Sequence, residues 1–376
     1  MSFCSIRKIS LCALLVLYSC TPSQKYLEKH GRTVVDNSSI IRVNILKTGY
    51  PVRIATKSKI RVQNLKTRKT LLSAENKKLT FVPDRLQEDV LIEAWDAPLM
   101  VNDKPYRGSI ELHNVAGKIF VINAVKLEEY LYSVVASEMS PSWPLEAIKS
   151  QAIAARTYAY YNLRGRKPNS IYDLDSTTKF QVYKGMDVEG PLGNRAVQET
   201  RGIIMSYENK PILALFHSTC GGRIIDNKYV WGGEDLPYLE DKTVPYGTSS
   251  PHYKWQVRIS LLEIQQLLDK KYRNIGPVSG LKFRKHNERV VEVLITHRNG
   301  TVKMTGNEFR MLFPDGRVKS QLFTARKAGD GLMLHGRGWG HGVGMCQYSA
   351  KEMAERGSTY DDILKYFYKD ITITKL

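Results

Sequence analysis

From Ile41 to about Val125 the apolar residues alternate with polar ones or gather in short β-branched runs. IRVNIL, PVRIAT, IRVQNL, KLTFV, VLIEAW, SIELHN and KIFVINAV each read as a strand, with turn residues between them. The period changes at Leu127. In LEEYLYSVVASEM, Leu127, Leu131, Val134 and Val135 fall at helical spacing, and Met139, Ser140 and Pro141 end the run. Pro144 suits the first turn of a second helix, LEAIKSQAIAARTYAYYNL. Leu145, Ile148 and Ala152 form one stripe of it, and Lys149 and Arg156 lie together on another. Its small residues from Ala152 to Ala155 permit close packing against a neighbour.

Beyond a loop-rich stretch from Arg164 to Arg195, GIIMSY and PILALFHS read as a hairpin about Glu208, Asn209 and Lys210. VWGG and PYL read as loop, KWQVRIS as a strand, LLEIQQLLDK as a helix, and VVEVLITH with TVKMT as a second hairpin. Gln347 to Arg356 forms a short helix stopped by Gly357, and a helix in TYDDILKYFYKD precedes the strand ITIT. Strands and helices mix without βαβ regularity. The predicted class is therefore α+β, in two lobes: a β-rich part over 41–125 and a mixed strand and helix part over 126–376.

Charge narrows the class of partner. The 56 Lys and Arg outnumber the 37 Asp and Glu, a formal net charge of +19, which calls for an anionic partner such as nucleic acid, an acidic glycan or an anionic membrane. The N-terminus chooses among these. Arg7 and Lys8 precede an apolar run from Ile9 to Leu17 and then Tyr18, Ser19 and Cys20, the layout of a secretory signal over 1–20. The end of this stretch resembles a bacterial lipobox, with Cys20 as the lipidated residue; plain cleavage is the alternative. Residues 21–40 read as a polar tether. The expected location is the cell envelope, with a lipid anchor as the membrane contact. An envelope polymer becomes the expected partner and nucleic acid does not. Once the signal is removed and Cys20 serves as anchor, only Cys220 and Cys346 remain, as one disulfide or as two buried thiols.

Three groups of residues carry candidate chemistry. Glu138 lies at a helix C-terminus among Val134, Val135, Met139 and Trp143. There the helix dipole and burial both disfavour its charge, so it is a candidate proton donor near neutral pH, or simply a solvated helix end. In HGRGWGHGVGMCQYSA every second residue from Gly336 to Gly344 is glycine, and the run fits no phosphate loop. Taken as extended, it presents His335, Arg337, Trp339 and His341 on one face and a bare face on the other. That suits a sugar ring with a pendant carboxylate, or a tight structural crossing. The stretch FHSTCGG adds His217 and Cys220. With Cys346 and the other histidines these also permit a metal site or a cysteine nucleophile.

Four stretches carry a family resemblance: VVASEMSPSWPLEAIKSQAIAARTYA, FHSTCGGRIIDNKYVWGGEDLPYL, KWQV and GHGVGMCQYSAKEMAERGSTYDDILKYFY. From about Val125 to the C-terminus the chain resembles the SpoIID/LytB family, the stage II sporulation protein D and amidase-enhancer proteins. The resemblance implies a lytic transglycosylase acting on peptidoglycan strands stripped of stem peptides, with a cell-wall amidase as a further partner. It assigns the catalytic acid to Glu138 and implicates Lys149 and Arg156. With these we group His217, Trp231, Arg337, Trp339, His341 and Gln347 as substrate-binding. Some family members bind zinc at a DTTHCQVY-like stretch. Here the sequence is DLDSTTKFQVYKG, with Asp175, Lys179 and Phe180, so no metal and no other cofactor is expected. Cys220 and Cys346 stand where the family commonly has serine, which suggests that they face each other as a disulfide.

Overall fold

The computed structural model describes residues 39–376. The signal, Cys20 and nearly all of the tether lie outside the described residues. The architecture is α+β, as the mixed periodicities predict.

The N-terminal strands build two sheets. One has seven strands in the order Leu174–Asp175, Ile40–Thr48, Lys118–Lys126, Ser109–Val115, Val90–Ala94, Lys59–Asn64 and Thr70–Glu75. The other has four, in the order Lys78–Phe81, Val52–Ala55, Leu99–Val101 and Lys104–Tyr106. Alternation sets which side is covered: Ile41 and Val43 are fully buried while their neighbours are not. Thr70–Glu75 is a strand that the pattern does not announce, because it lies at the sheet edge with almost every residue exposed.

Helix α1 (Leu127–Glu138) leaves the strand Lys118–Lys126 directly. The central helix α2 (Leu145–Arg164) then packs against α1, α3 (Pro191–Glu199), and two later helices. Its run Ala152 to Ala155 is completely buried, the small side chains letting several neighbours approach at once. After a short α4 (Lys228–Trp231), where the sequence reading has loop, come α5 (Leu261–Asp269) and α6 (Gly306–Met311). The two helices that pack on α2 are α7 (Gln347–Glu355) and α8 (Tyr360–Phe367). The expected hairpin strand PILALFHS reduces to Lys210–Pro211 and Phe216–His217. The strand Ile203–Tyr207 pairs mainly with the C-terminal strand Thr372–Lys375.

The cores do not divide at residue 125. One core joins Ile41, Ile54 and Val125 of the sheets to Leu131 and Ile153 of the helices and to Val343 and Phe367 near the C-terminus. The buried side of the N-terminal sheets is covered by the helical part, so the two share one interior. A second core, between Trp255 and Leu334, belongs to a smaller lobe. That lobe has two three-stranded sheets. One is Lys254–Ser260, Gly331–Arg337 and Phe323–Ala328; the other is Val278–His286, Arg289–His297 and Gly300–Thr305. A capping box at Thr305 and Glu308 fixes the start of α6, with the Glu308 amide donating to Thr305 Oγ1 at 3.1 Å.

Candidate functional site

Glu138 is the last residue of α1, and Met139 leaves the helix in an extended conformation. The carboxylate therefore sits at the negative end of the helix dipole. Its Oε1 accepts from the Val182 N–H at 3.3 Å. Its Oε2 accepts from Gln347 Nε2, also at 3.3 Å. The same Gln347 amide donates to Gln151 Oε1 at 3.3 Å, so both of its N–H groups are engaged. Burial pushes the Glu138 carboxyl above the ordinary carboxylate range. The two hydrogen bonds and the Lys184 cation pull against that without cancelling it. No carboxylate is among its hydrogen-bond partners within the described residues. Trp143, in the α1–α2 connection, meets Tyr348 edge-on at 4.8 Å between ring centres. Both rings are half-buried and belong to the segments that carry Glu138 and Gln347.

The glycine run is not one extended strand. Strand geometry ends at Arg337. Gly338, Gly340, Gly342 and Gly344 all adopt positive φ, between 67° and 113°. Trp339 pairs antiparallel with Thr219, whereas Met345 and Cys346 pair parallel with Phe216 and His217. The chain thus turns over as it crosses the FHSTCGG segment. Close approach is the second requirement. A Cβ on Gly344 would lie 2.1 Å from the Leu215 carbonyl oxygen, and one on Gly342 would lie 2.4 Å from the Arg289 guanidinium carbon. The crossing delivers Gln347, the first residue of α7, to Glu138.

Both histidines of the crossing bond to backbone. His341 Nε2–H donates to the Phe216 carbonyl at 2.8 Å, and its Nδ1 accepts from the Val343 N–H at 3.1 Å, which fixes one neutral tautomer. Burial pulls its pKa well below the usual imidazole value. His217 Nδ1–H donates to the Val343 carbonyl at 3.1 Å, and burial lowers its pKa as well. Beneath them the buried Arg289 donates to the carbonyls of Cys220 and Arg223. Cys220 and Cys346 adjoin, as the sequence suggests, but the structure holds them as two buried free thiols rather than a disulfide. The Cys346 sulfur is turned onto the Cys220 amide at 3.2 Å, while the Cys220 sulfur faces Ser349 Oγ at 3.7 Å. Burial pushes the Cys346 thiol well above its ordinary value, which is the opposite of what a thiolate nucleophile needs.

The remaining candidates lie elsewhere. Arg156 is completely buried and grips both carboxylate oxygens of Glu128 at 2.8 Å, with the Val197 and Ile203 carbonyls as further acceptors. It joins α1, α2 and α3 from a fully buried position. Lys149 pairs with Glu199 at 2.7 Å and Glu146 at 2.9 Å. Trp231 packs on His341 at 5.1 Å and lines an open groove of about 410 Å³ with Tyr229 and Arg284. Trp339 is 42% exposed and meets His252 edge-on. Arg337 pairs with Glu288 at 2.9 Å and lines, with His335, a second open groove of about 770 Å³. Glu138 lines neither groove. The structure therefore brings Gln347 to Glu138, gathers His217, Trp231 and His341 with the two cysteines at the glycine crossing, and ties up Lys149, Arg156 and Arg337 in ion pairs. The sequence reading missed Gln151, Val182, Lys184 and Tyr348. Trp143 is named there only as a neighbour of Glu138, and the one signal for Tyr348 is an aromatic ring next to Gln347 in MCQYSA.

Fold and site together define an α+β protein with one shielded, helix-terminal carboxylic acid held by a distant glutamine. The comparisons with known proteins place it more closely. Residues 115–207 match the family model SpoIID, stage II sporulation protein, and residues 243–344 match a domain of unknown function, DUF8618. The chain is 34% identical over 271 residues to stage II sporulation protein D of Bacillus subtilis (strain 168), covering 68% of this chain and 76% of that one. It is 31% identical over 351 residues to an uncharacterized protein of Brachyspira hyodysenteriae, covering 90% and 93%. It is 28% identical over 298 residues to the amidase enhancer of Bacillus subtilis (strain 168), covering 65% of this chain and 40% of that protein. The chain belongs to the SpoIID family.

Proposed function

We propose that this protein cleaves the glycan strands of peptidoglycan as a lytic transglycosylase, with Glu138 as its acid and base. The supporting observation is the acid's setting: burial raises its pKa, and its hydrogen-bond partners among the described residues are two amides, with the Lys184 cation acting on it and no carboxylate among them. A glycosidase that activates water or forms a glycosyl-enzyme usually does so with a pair of carboxyl groups flanking the bond. The other acids that the sequence offers are Asp175, Asp226 and Glu234; Asp175 accepts from the Thr177 amide at 2.9 Å, Asp226 accepts from the Asp241 amide at 2.5 Å, and none of the three is hydrogen-bonded to Glu138. One acid suffices if the nucleophile belongs to the substrate. Glu138 protonates the glycosidic oxygen. Its conjugate base then takes the proton from the muramic C6 hydroxyl, which attacks C1 of its own ring and closes a 1,6-anhydro bridge. Tethering the nucleophile removes most of the entropy cost of recruiting it. The half-buried Trp143 and Tyr348 offer ring faces and edges for a sugar beside the acid.

The names of the relatives, a sporulation protein and an amidase enhancer, agree with work on the cell wall in the envelope, where Cys20 would anchor the chain. The test is digestion of peptide-free glycan strands. The expected product has 1,6-anhydromuramic ends and is lost in Glu138→Gln. Reducing ends alone would mean hydrolysis instead. A second reading rests on the similarity to the amidase enhancer: a wall-binding protein that stimulates an amidase without cutting glycan. It predicts binding without product and a faster partner amidase. Burial raises the pKa of the Cys346 thiol, which disfavours Cys346 as a nucleophile.

A further inference from the structure

We infer that the smaller lobe carries a second glycan site, an open cationic face that holds peptide-free strands away from Glu138. The inference rests on the reading of peptidoglycan glycan as the substrate.

Strand register sets up this face. Lys254 stands directly across from Arg337. The next row on the same side is Gln256, His335 and Thr324. The row after that is Arg258, Met333 and Arg326. The opposite side of the sheet carries Trp255, Phe323 and Leu334, all buried in the core of the lobe. A groove of about 770 Å³ runs over the first two rows and is also lined by Lys285 and Glu288 of the neighbouring hairpin; the exposed Arg258 and Arg326 of the third row lie beyond its lining. Two cations of the face have partners: Arg337 with Glu288 at 2.9 Å and Arg258 with Asp330 at 2.7 Å. Lys254, Lys285 and Arg326 are exposed and make no ion pair with another described residue.

The pattern is cationic row, neutral hydrogen-bonding row, cationic row. Lys254 and Arg258 are four residues apart, about 13 Å along a strand. A strand stripped of stem peptides has the complementary pattern, with a lactyl carboxylate on alternate sugars and hydroxyl and acetamido groups between them. Lys and Arg bind the carboxylates by charge-assisted hydrogen bonds, and the Gln256, His335 and Thr324 row takes the neutral groups. A polymer with charge in every unit would leave that row facing anions. The site is also tied to the acid. Arg337 opens the run that ends at Gln347, and ten residues span at most about 35 Å. The cationic face therefore lies within about 35 Å of Gln347, which itself contacts Glu138.

The experiment measures binding of peptide-free glycan strands to the mature full chain carrying Glu138→Gln, so that nothing is cut. Adding Lys254→Glu and Arg326→Glu is expected to weaken binding about tenfold or more. Binding of neutral chitin oligomers should be unchanged, as should the melting temperature. In the protein without these two changes, bound strands should shield Lys254 and Lys285 from amine acylation. Unchanged affinity for the strands, or equal acylation with and without them, overturns the proposal. So does a glycerol-phosphate polymer that binds as tightly and loses as much, since the partner would then be a phosphodiester chain. Failure of the catalytic reading looks different: no cleavage by the wild-type chain, with the binding difference intact.

Discussion

Gln347 donates to the carboxylate of Glu138 across 209 residues of sequence, and the glycine crossing makes the contact possible. The same amide holds Gln151, so Gln347 positions the acid as well as charging it. Its hydrogen bond favours the ionised form against the desolvation that disfavours it. Gln347→Leu removes that support, so the Glu138 pKa rises further. The alkaline limb of the pH–rate profile, where the acid loses its proton, is expected to move to higher pH. kcat should fall with it. A profile unchanged in position would show that Gln347 does not act through Glu138.

Glu138 should also mark the protein's stability. Burial raises its folded pKa above the unfolded value, so the folded chain holds this proton more tightly. In the window between the two values the folded state binds more protons, and stability falls as pH rises. The penalty is absent below the ordinary glutamate range, grows through the raised value and is constant above it. Glu138→Gln carries no such charge. It should melt higher than wild type at neutral pH, and the gap should close as pH drops below the ordinary range. Parallel melting curves across pH would contradict the shielded acid.

Arg156 and Lys149 share one stripe of α2 and should behave differently. Arg156→Ala leaves Glu128 buried without its partner, a loss of about 3–5 kcal/mol in urea unfolding. Lys149 is partly open to solvent and its ion pairs are screened, so Lys149→Ala should change stability far less. If Arg156 were a substrate ligand, its alanine variant would keep its stability and lose glycan binding instead.

These contrasts show what the sequence carries. Local pattern located α1, its break at Met139 and thereby Glu138, because helical spacing and Pro141 are short-range signals. It placed Lys149 and Arg156 on one stripe. Which of them is buried depends on Glu128 of α1 and on α3, which helical periodicity in α2 does not encode. The alternation of glycine was visible, yet glycine fits an extended strand and a left-handed crossing equally well. The choice is made by Leu215 and Arg289, far away in the chain. The same limit hid Gln151 and Val182, whose roles exist only once Gln347 and Glu138 meet.

The two cysteines give the last test. Both are buried and unbonded, with the Cys346 sulfur on the Cys220 amide. A thiol reagent should find neither in the folded protein and both after denaturation without reductant. Two thiols hidden even then would restore the disulfide that the sequence suggested. Cys346→Ser tests the chemistry separately. Serine keeps the size and an acceptor for the Cys220 amide, so cleavage should persist at close to the wild-type rate. Its loss, in a variant that melts like wild type, would return Cys346 to the reaction.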